Sequence, residues 1–250
     1  MNVLIKFPSA KRPEVFFRTL NRWTSLLSTG HAVTFLCSFD EHDATMYNNV
    51  VIGRLRQAIE AMPSRARLIY RYGHSRSKIQ ACNADMTIPE IADWEMLILA
   101  SDDMLPVYDG YDDLMARDMR KHFPDLDGCL WYDDGNRPAD DPLCTLSVFG
   151  RKWYEAVGYV YHPDFFSLWA DNWHQWMARK LNRIVHFPGV VPVRHEWMAP
   201  SSGGNDALHA VNSTEAVFNR DREVYLRLIA AGIPHEVIER FGGPDAACRT

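Results

Sequence analysis

The sequence predicts an α/β fold, a mainly parallel sheet flanked by helices, and three observations carry that expectation. Short apolar runs alternate with segments whose apolar residues recur at helical spacing, the pattern of βαβ units. The run "LILA" has no polar alternation at all, as a parallel strand covered on both faces requires. The rhythm holds to about Asp109 and then loosens, so the second half is expected to be more irregular.

"NVLIKF" reads as the first strand, with Pro8 ending it. "RPEVFFRTLNRWTSLLSTG" reads as a helix: Pro13 suits its first turn, Val15, Phe16, Leu20, Trp23 and Leu27 form a stripe, and Gly30 is placed to end it. "AVTFLCSF" is a second strand followed by the acidic "DEHD", and "NNVVIGRLRQAIEAM" is a second helix. "RLIYRY" is a third strand, "SKIQACNADMTIPEI" a short helix stopped by Pro89, and "EMLILA" the fourth strand. Beyond Asp109-Gly110 come a helix near Tyr111–His122, "GCLWY", the acidic loop "DDGNRPADDP" and a strand-like "LCTLSVFG". An aromatic segment "RKWYEAVGYVYHPDFF", a helix "SLWADNWHQWMARKLN", a late strand "RIVHF", "VVPVRHEW", a flexible "SSGGN" and a helix from about Ser213 to Ala231 complete the chain. No linker-like composition divides it. One domain over residues 1–250 is expected, with halves 1–109 and 110–250.

The 250 residues, 47% hydrophobic and 24% charged, are ample to bury a core and ordinary for a globular protein. A formal net charge of −5 argues against a general nucleic-acid binder, though not against a local basic patch. No apolar run approaches the roughly 18 to 20 residues of a bilayer span, and "MNVLIKFPSAKRP" reads as a strand and not a signal peptide. Five cysteines without a CxxC pair argue against a disulfide framework or structural zinc site, and a reducing, cytoplasmic setting is expected.

The informative feature is "WEMLILASDDM", where a buried strand breaks into Ser101-Asp102-Asp103. Ligands of open α/β sheets bind beyond the carboxyl ends of strands. Carboxylates there, with phosphate oxygens and water, form the usual first shell of Mg²⁺ or Mn²⁺. A solvated turn is the competing reading, since Asp is favoured in turns. The segment Arg65–Lys78 carries Arg65, Arg67, Arg71, His74, Arg76 and Lys78. It is either a solvated face or a diphosphate cradle at the helix opened by "GHSRSK", with Arg76 and Lys78 the chosen contacts. Trp169, Trp173, Trp176 and Met177 share a helical face and read as core, while Asp171 lies off that stripe. Asp171 is a first-turn acid or a general base.

Taken in order, these stretches resemble GT-A-type glycosyltransferases related to family 2, over about Asn2 to Trp197. "LILASDD" resembles their strand-plus-DXD element, "IKFPSAKRP" the first strand and nucleotide-contacting loop, and "CSFDEHD" the second strand end with its acid near base or ribose. "GHSRSKIQACNAD" is similar to their Gly-rich stretch and helix with an Asn, "GRKWYEAVGY…FFSLWADNWH" to the acceptor region with an acid at a helix start, and "VRHEW" to the late His that joins the metal site. The resemblance implies a Rossmann-like sheet with a nucleotide-sugar-binding half, 1–109, and an irregular acceptor-binding half, 110–250, ending in a C-terminal helix. It implies a hexosyl- or pentosyltransferase that uses Mn²⁺ or Mg²⁺ and a nucleoside-diphosphate sugar, UDP-sugar being the expected donor, with inversion. Donor contacts then fall to Pro8, Ser9, Arg12, Asp40, Arg76, Lys78, Asn83 and Asp102, metal contacts to Asp103 and His195, with His186 a second candidate, and the base to Asp171. The chain departs from the pattern at Ser101, where many members carry the first Asp of DXD, which leaves Asp102 open to ribose or metal.

Other readings stay in play. A sugar-nucleotide pyrophosphorylase has a related fold, but the loop after the first strand lacks a Gly-rich run for a triphosphate. A non-catalytic nucleotide-sugar-binding protein finds support in Ser101. The acceptor is a cytosolic glycan precursor or small molecule, or a hydroxylated base of phage-type DNA, for which Arg65–Lys78 is the one basic track on offer.

Overall fold

The computed structural model describes residues 1–137, 142–196 and 213–242. Strand β1 (Asn2–Pro8) has five consecutive buried residues, and β2 (Ala32–Asp40), β3 (Ala66–Gly73) and β4 (Met96–Leu99) join it as parallel strands. After β5 (Met104–Pro106) come β6 (Cys129–Tyr132), β7 (Val148–Gly150), β8 (Ile184–Phe187) and β9 (Val193–His195). The main sheet runs β3-β2-β1-β4-β7-β6-β8, and only β7 is antiparallel to its neighbours. A separate two-stranded ribbon joins β5 to β9, with Met104 opposite His195 and Leu105 opposite Arg194. Strand order reverses between β2-β1 and β1-β4, the place where α/β sheets open a crevice for ligands.

Helices cover both faces. On one lie α1 (Pro13–Ser25), α2 (Asn49–Glu60) and α4 (Tyr111–His122), packed on Val3, Ile5, Phe7 and Ile98. On the other lie α3 (Lys78–Asn83), α5 (Arg151–Val157), α6 (Ala170–Lys180) and α8 (His235–Arg240), packed on Leu4, Leu36, Leu97 and Phe149, with α7 (Glu215–Ala231) against their outer side. Alternate residues of β1 and β4 thus feed opposite cores, which is why every residue of β4 is buried. The sheet also buries one charge: Lys6 donates to Ser38 Oγ and, at 2.8 Å, to the Ala84 carbonyl, tying the end of α3 to β1. Burial lowers its ammonium to about 8, against the raising influence of Asp85.

Several predicted boundaries move, each for a tertiary reason. Helix α1 stops at Ser25, before Gly30, because Asp112 of α4 accepts both the Ser28 N–H and hydroxyl, at 2.8 and 2.7 Å, and Gly110 N–H takes the Leu26 carbonyl. The helix expected to run to Pro89 ends at Asn83, since Asp85 turns left-handed at φ 62°. A 3-10 turn follows at Pro89–Ile91. Trp169, also left-handed at φ 63°, delays α6 to Ala170. Of "LCTLSVFG" only Val148–Gly150 pairs as a strand. Strand β5 and helix α8 were not anticipated, and "SSGGN" lies outside the described residues. Cys37, Cys82, Cys129 and Cys144 are buried free thiols. No helix among the described residues is long and apolar enough to cross a membrane.

Candidate active site

The crevice at the carboxyl ends of β1 and β4 is closed by the "SDD" turn. Asp102 turns inward: Ser9 Oγ donates to its carboxylate at 3.1 Å, Arg12 Nε stands 3.9 Å away, and Thr19 Oγ1 donates to its carbonyl at 2.8 Å. Only 5% exposed, its carboxyl is pushed up to about 6 by burial, with the Arg12 charge opposing and Asp103 reinforcing the shift. Pro8, Ser9 and Arg12 are thereby gathered with Asp102 across the switch point, although they lie some ninety residues apart in sequence.

Asp103 turns the other way. The β5–β9 ribbon brings His195 to it, with Nε2 3.5 Å from Asp103 Oδ2 and Nδ1 3.9 Å from Asp134 Oδ2. Glu196 N–H donates to the Asp103 carbonyl at 2.6 Å and His195 N–H to the Asp134 carbonyl at 2.9 Å, so both side chains sit on paired backbone. Burial raises the Asp103 carboxyl, but His195, the Lys78 charge and the Ser101 hydroxyl together hold it well below the usual carboxylate range. For His195, burial lowers the imidazole, and the two carboxylates outweigh it, raising it to about 9. The Asp103 side chain remains 20% exposed, so solvent and ligand reach it.

Among the described residues no group of three or more His, Cys, Asp or Glu forms a ready metal cage. The Asp103–His195 pair fits a different arrangement. The Asp103 carboxylate suits Mn²⁺ or Mg²⁺ when substrate phosphates and water complete the shell, and the His195 imidazole, a cation at neutral pH beside its two carboxylates, would give up its proton to ligate Mn²⁺. Asp134 stands at the far ring nitrogen, the outer partner that orients a ligating histidine. His186, the other candidate, is elsewhere: its Nε2 bonds Asp133 Oδ1 at 2.8 Å and its ring stacks on Trp131.

The remaining predicted residues divide. Lys78, exposed at the start of α3, acts electrostatically on both Asp103 and His195. The free helix end expected beside it is largely self-satisfied: Ser77 Oγ accepts from Gln80 N–H, and Gln80 Oε1 accepts from Arg76 N–H. Arg76 itself is exposed. Asp40 ends β2 half-buried, its carboxylate accepting the His42 N–H at 2.8 Å. Asn83 gives its whole amide to a loop, accepting from the Val160 and Tyr161 N–H groups and donating to the Tyr161 carbonyl. The arginine run does not make one track. Arg67 lies near the amino end of β3, about 20 Å down the strand from Gly73, and Arg65 just precedes the strand. Arg67 and Arg71 are also occupied by Glu90.

Asp171 stands half-buried in the first turn of α6, its Oδ1 accepting the Asn172 N–H at 3.0 Å. Its charge reaches Tyr161 and Cys144, whose hydroxyl and thiol are raised by burial first and by this carboxylate next. Helix α6 connects to the Asp103–His195 pair: Gln175 Oε1 accepts the Cys144 N–H at 2.6 Å, and Thr145 Oγ1 donates to Asp134 Oδ2 at 2.8 Å. Asp134 and Thr145 escaped the sequence reading, since one sat in an acidic loop and the other in an apparent strand. So did Asp221, a fully buried acid of α7 accepting the N–H groups of Phe166, Ser167 and Leu168 just ahead of α6.

No protein-family model and no curated protein sequence matches the chain. Solved structures do. TarS 1–349 from S. aureus aligns with a TM-score of 0.56 at 11% identity, over 78% of this chain and 60% of that one. The same fragment in complex with UDP gives 0.54 at 12% identity and the same coverage. The mannosyltransferase PcManGT from Pyrobaculum calidifontis, in complex with GDP-Man and Mn²⁺, gives 0.56 at 15% identity, over 95% of this chain and 77% of that one. The chain therefore spans about 60% of the length of the TarS fragments it matches. These likenesses establish a GT-A-like fold, as the sequence resemblance implied.

Proposed function

We propose that the chain transfers a sugar from a nucleoside-diphosphate sugar, with UDP as the expected nucleotide, to an acceptor hydroxyl, with inversion and with a divalent cation held by Asp103 and His195. The observation that carries this reading is the split geometry of the "SDD" turn at the switch point: Asp102 locked to Ser9 and Arg12 from β1, Asp103 facing His195 and Lys78. The glycosyltransferase neighbours, one holding GDP-Man and Mn²⁺, support it at the level of fold.

Within this reading Pro8, Ser9, Arg12, Asp40 and Asp102 bound the nucleoside side of the crevice, while Arg76 and Lys78 approach the diphosphate from α3. Asn83 contributes by fixing α3 to the Val160–Tyr161 loop. A bound Mn²⁺ or Mg²⁺ supplies positive charge to the departing diphosphate. Asp171 accepts the acceptor hydroxyl's proton as that oxygen bonds to the anomeric carbon. The carbon–oxygen bond to the diphosphate breaks, and its electron pair leaves with the nucleoside diphosphate. The test is release of nucleoside diphosphate from a panel of sugar donors, with Mn²⁺ and with chelator. Turnover with Mn²⁺, lost in Asp103→Ala while the donor still binds, is expected. No release from any donor under either condition would reduce the protein to a nucleotide-sugar binder.

A further inference from the structure

The β5–β9 ribbon has two faces, and the proposed transfer uses only one of them. Met104 and Val193 are buried inward and share a face with His195. Leu105 and Arg194, the intervening pair, necessarily face the other way. There, beside one side of α1, they border an open surface pocket of about 400 Å³, lined by Arg18, Arg22, Arg194, Leu105, Pro106 and Val107 among others.

Three exposed arginines line this one pocket in a chain whose net charge is −5. Arg18 and Arg22 are four residues apart on α1, a spacing at which like charges repel. No carboxylate among the described residues pairs with Arg18, Arg22 or Arg194, whereas Arg54, Arg67, Arg71 and Arg151 each have an acidic partner. Arg22 is fixed in place by its Nε, which donates to the Pro106 carbonyl at 2.9 Å, so its two terminal nitrogens keep their donors for something else. One carboxylate, Glu196, lines the same cavity, and it stands against three cations. Guanidinium forks match tetrahedral oxyanions through paired hydrogen bonds. The apolar floor of Leu105, Pro106 and Val107 suits the uncharged body that carries such a group.

We infer that this pocket binds a phosphate-type oxyanion of a ligand other than the sugar donor. The inference stands independently of sugar transfer, because it uses none of the donor or metal residues. Two sources present this chemistry, a free phosphorylated molecule and the headgroup of an anionic lipid, and they can be told apart.

The test uses the full chain with UDP and Mn²⁺ present, so that phosphate does not report on the donor crevice. Arginine labelling by phenylglyoxal is read by mass spectrometry with and without inorganic phosphate. Arg18 and Arg194 should be protected by phosphate, while exposed Arg65 should label equally in both. Phosphate affinity should fall at least tenfold in R18Q/R194Q and in R18Q/R22Q, with UDP affinity unchanged. Co-sedimentation with phosphatidylcholine vesicles containing phosphatidylglycerol, lost in R18Q/R194Q, would assign the anion to a lipid headgroup. Protection by phosphate without vesicle binding would assign it to a free phosphorylated ligand. Equal labelling of Arg18 and Arg194 in both conditions, or unchanged phosphate affinity in both double variants, would overturn the inference. Failed UDP binding with intact phosphate protection would count against the transferase reading alone.

Discussion

Two strands of the same sheet end in the same dipeptide. Asp102-Asp103 follows β4 and Asp133-Asp134 follows β6, yet the two pairs stand in different surroundings. The second pair is tied to its own loop. Asp133 accepts from His186 and from the Gly189 N–H, at 2.8 and 2.7 Å. Asp134 accepts from the N–H groups of Asn136 and Arg137 and from Thr145. In the first pair Asp103 takes one hydroxyl, from Ser101, and faces His195 at 3.5 Å and the charge of Lys78. No backbone N–H among the described residues donates to its carboxylate. An acid that accepts backbone N–H groups holds its loop, while Asp103, which accepts none among the described residues, keeps lone pairs for a ligand. Residue type is identical; the supply of donors decides.

That contrast can be broken most directly at the two positions proposed to act. Asp103→Ala should lower sugar transfer by about 10²–10³-fold, the scale of losing one electrostatic contact to the transition state, in a protein that stays folded but unfolds at a lower temperature because His195 loses a carboxylate partner. Asp171→Asn should lower it by about 10²–10⁴-fold, the usual worth of a general base, with donor affinity unchanged by calorimetry. A loss under fivefold would leave Asp171 as a first-turn acid only. Asp134→Asn sharpens the comparison from the other side. It leaves Asp103 intact but removes charge behind His195, so Mn²⁺ affinity should weaken about 10–100-fold, read by titration with donor bound. Asp133→Ala should be silent in transfer kinetics and cost about 1–3 kcal/mol of stability by denaturant unfolding, because the Gly189 N–H and His186 lose their acceptor. The smallest effect is expected at Arg67→Gln and Arg71→Gln. These residues are already tied to Glu90, so donor affinity should hold within twofold and stability within about 1 kcal/mol.

Much of the chain as far as His122 was legible because local and tertiary demands agree there. Helix α4 spans Tyr111–His122 as expected, with Asp112 and Asp113 in its first turn and Arg120, Lys121 and His122 in its last, charges that suit the helix dipole. Helix α2 begins where Asn48 caps it by accepting the Val51 N–H. Legibility failed where distant residues overrule the local pattern. Gly30 looked like a helix end, but Asp112 captures Ser28 first. "LCTLSVFG" looked like one strand, but its first residues leave the sheet to meet Gln175 and Asp134.

By itself the sequence determined the α/β alternation, the buried β4 and the placing of two acids at its end, since hydrophobic period and strand length are properties of neighbours along the chain. Which acid faces inward, which histidine joins it, and which arginines are already occupied were decided only by the tertiary structure. His195 reaches Asp103 through the pairing of two three-residue strands about ninety positions apart. Neither strand carries enough pattern to announce itself. His186 has the same side chain and a clearer strand, yet it goes to Asp133 because β8 pairs with β6. Strand register is a long-range choice, and it sets which of two chemically equal residues meets which partner.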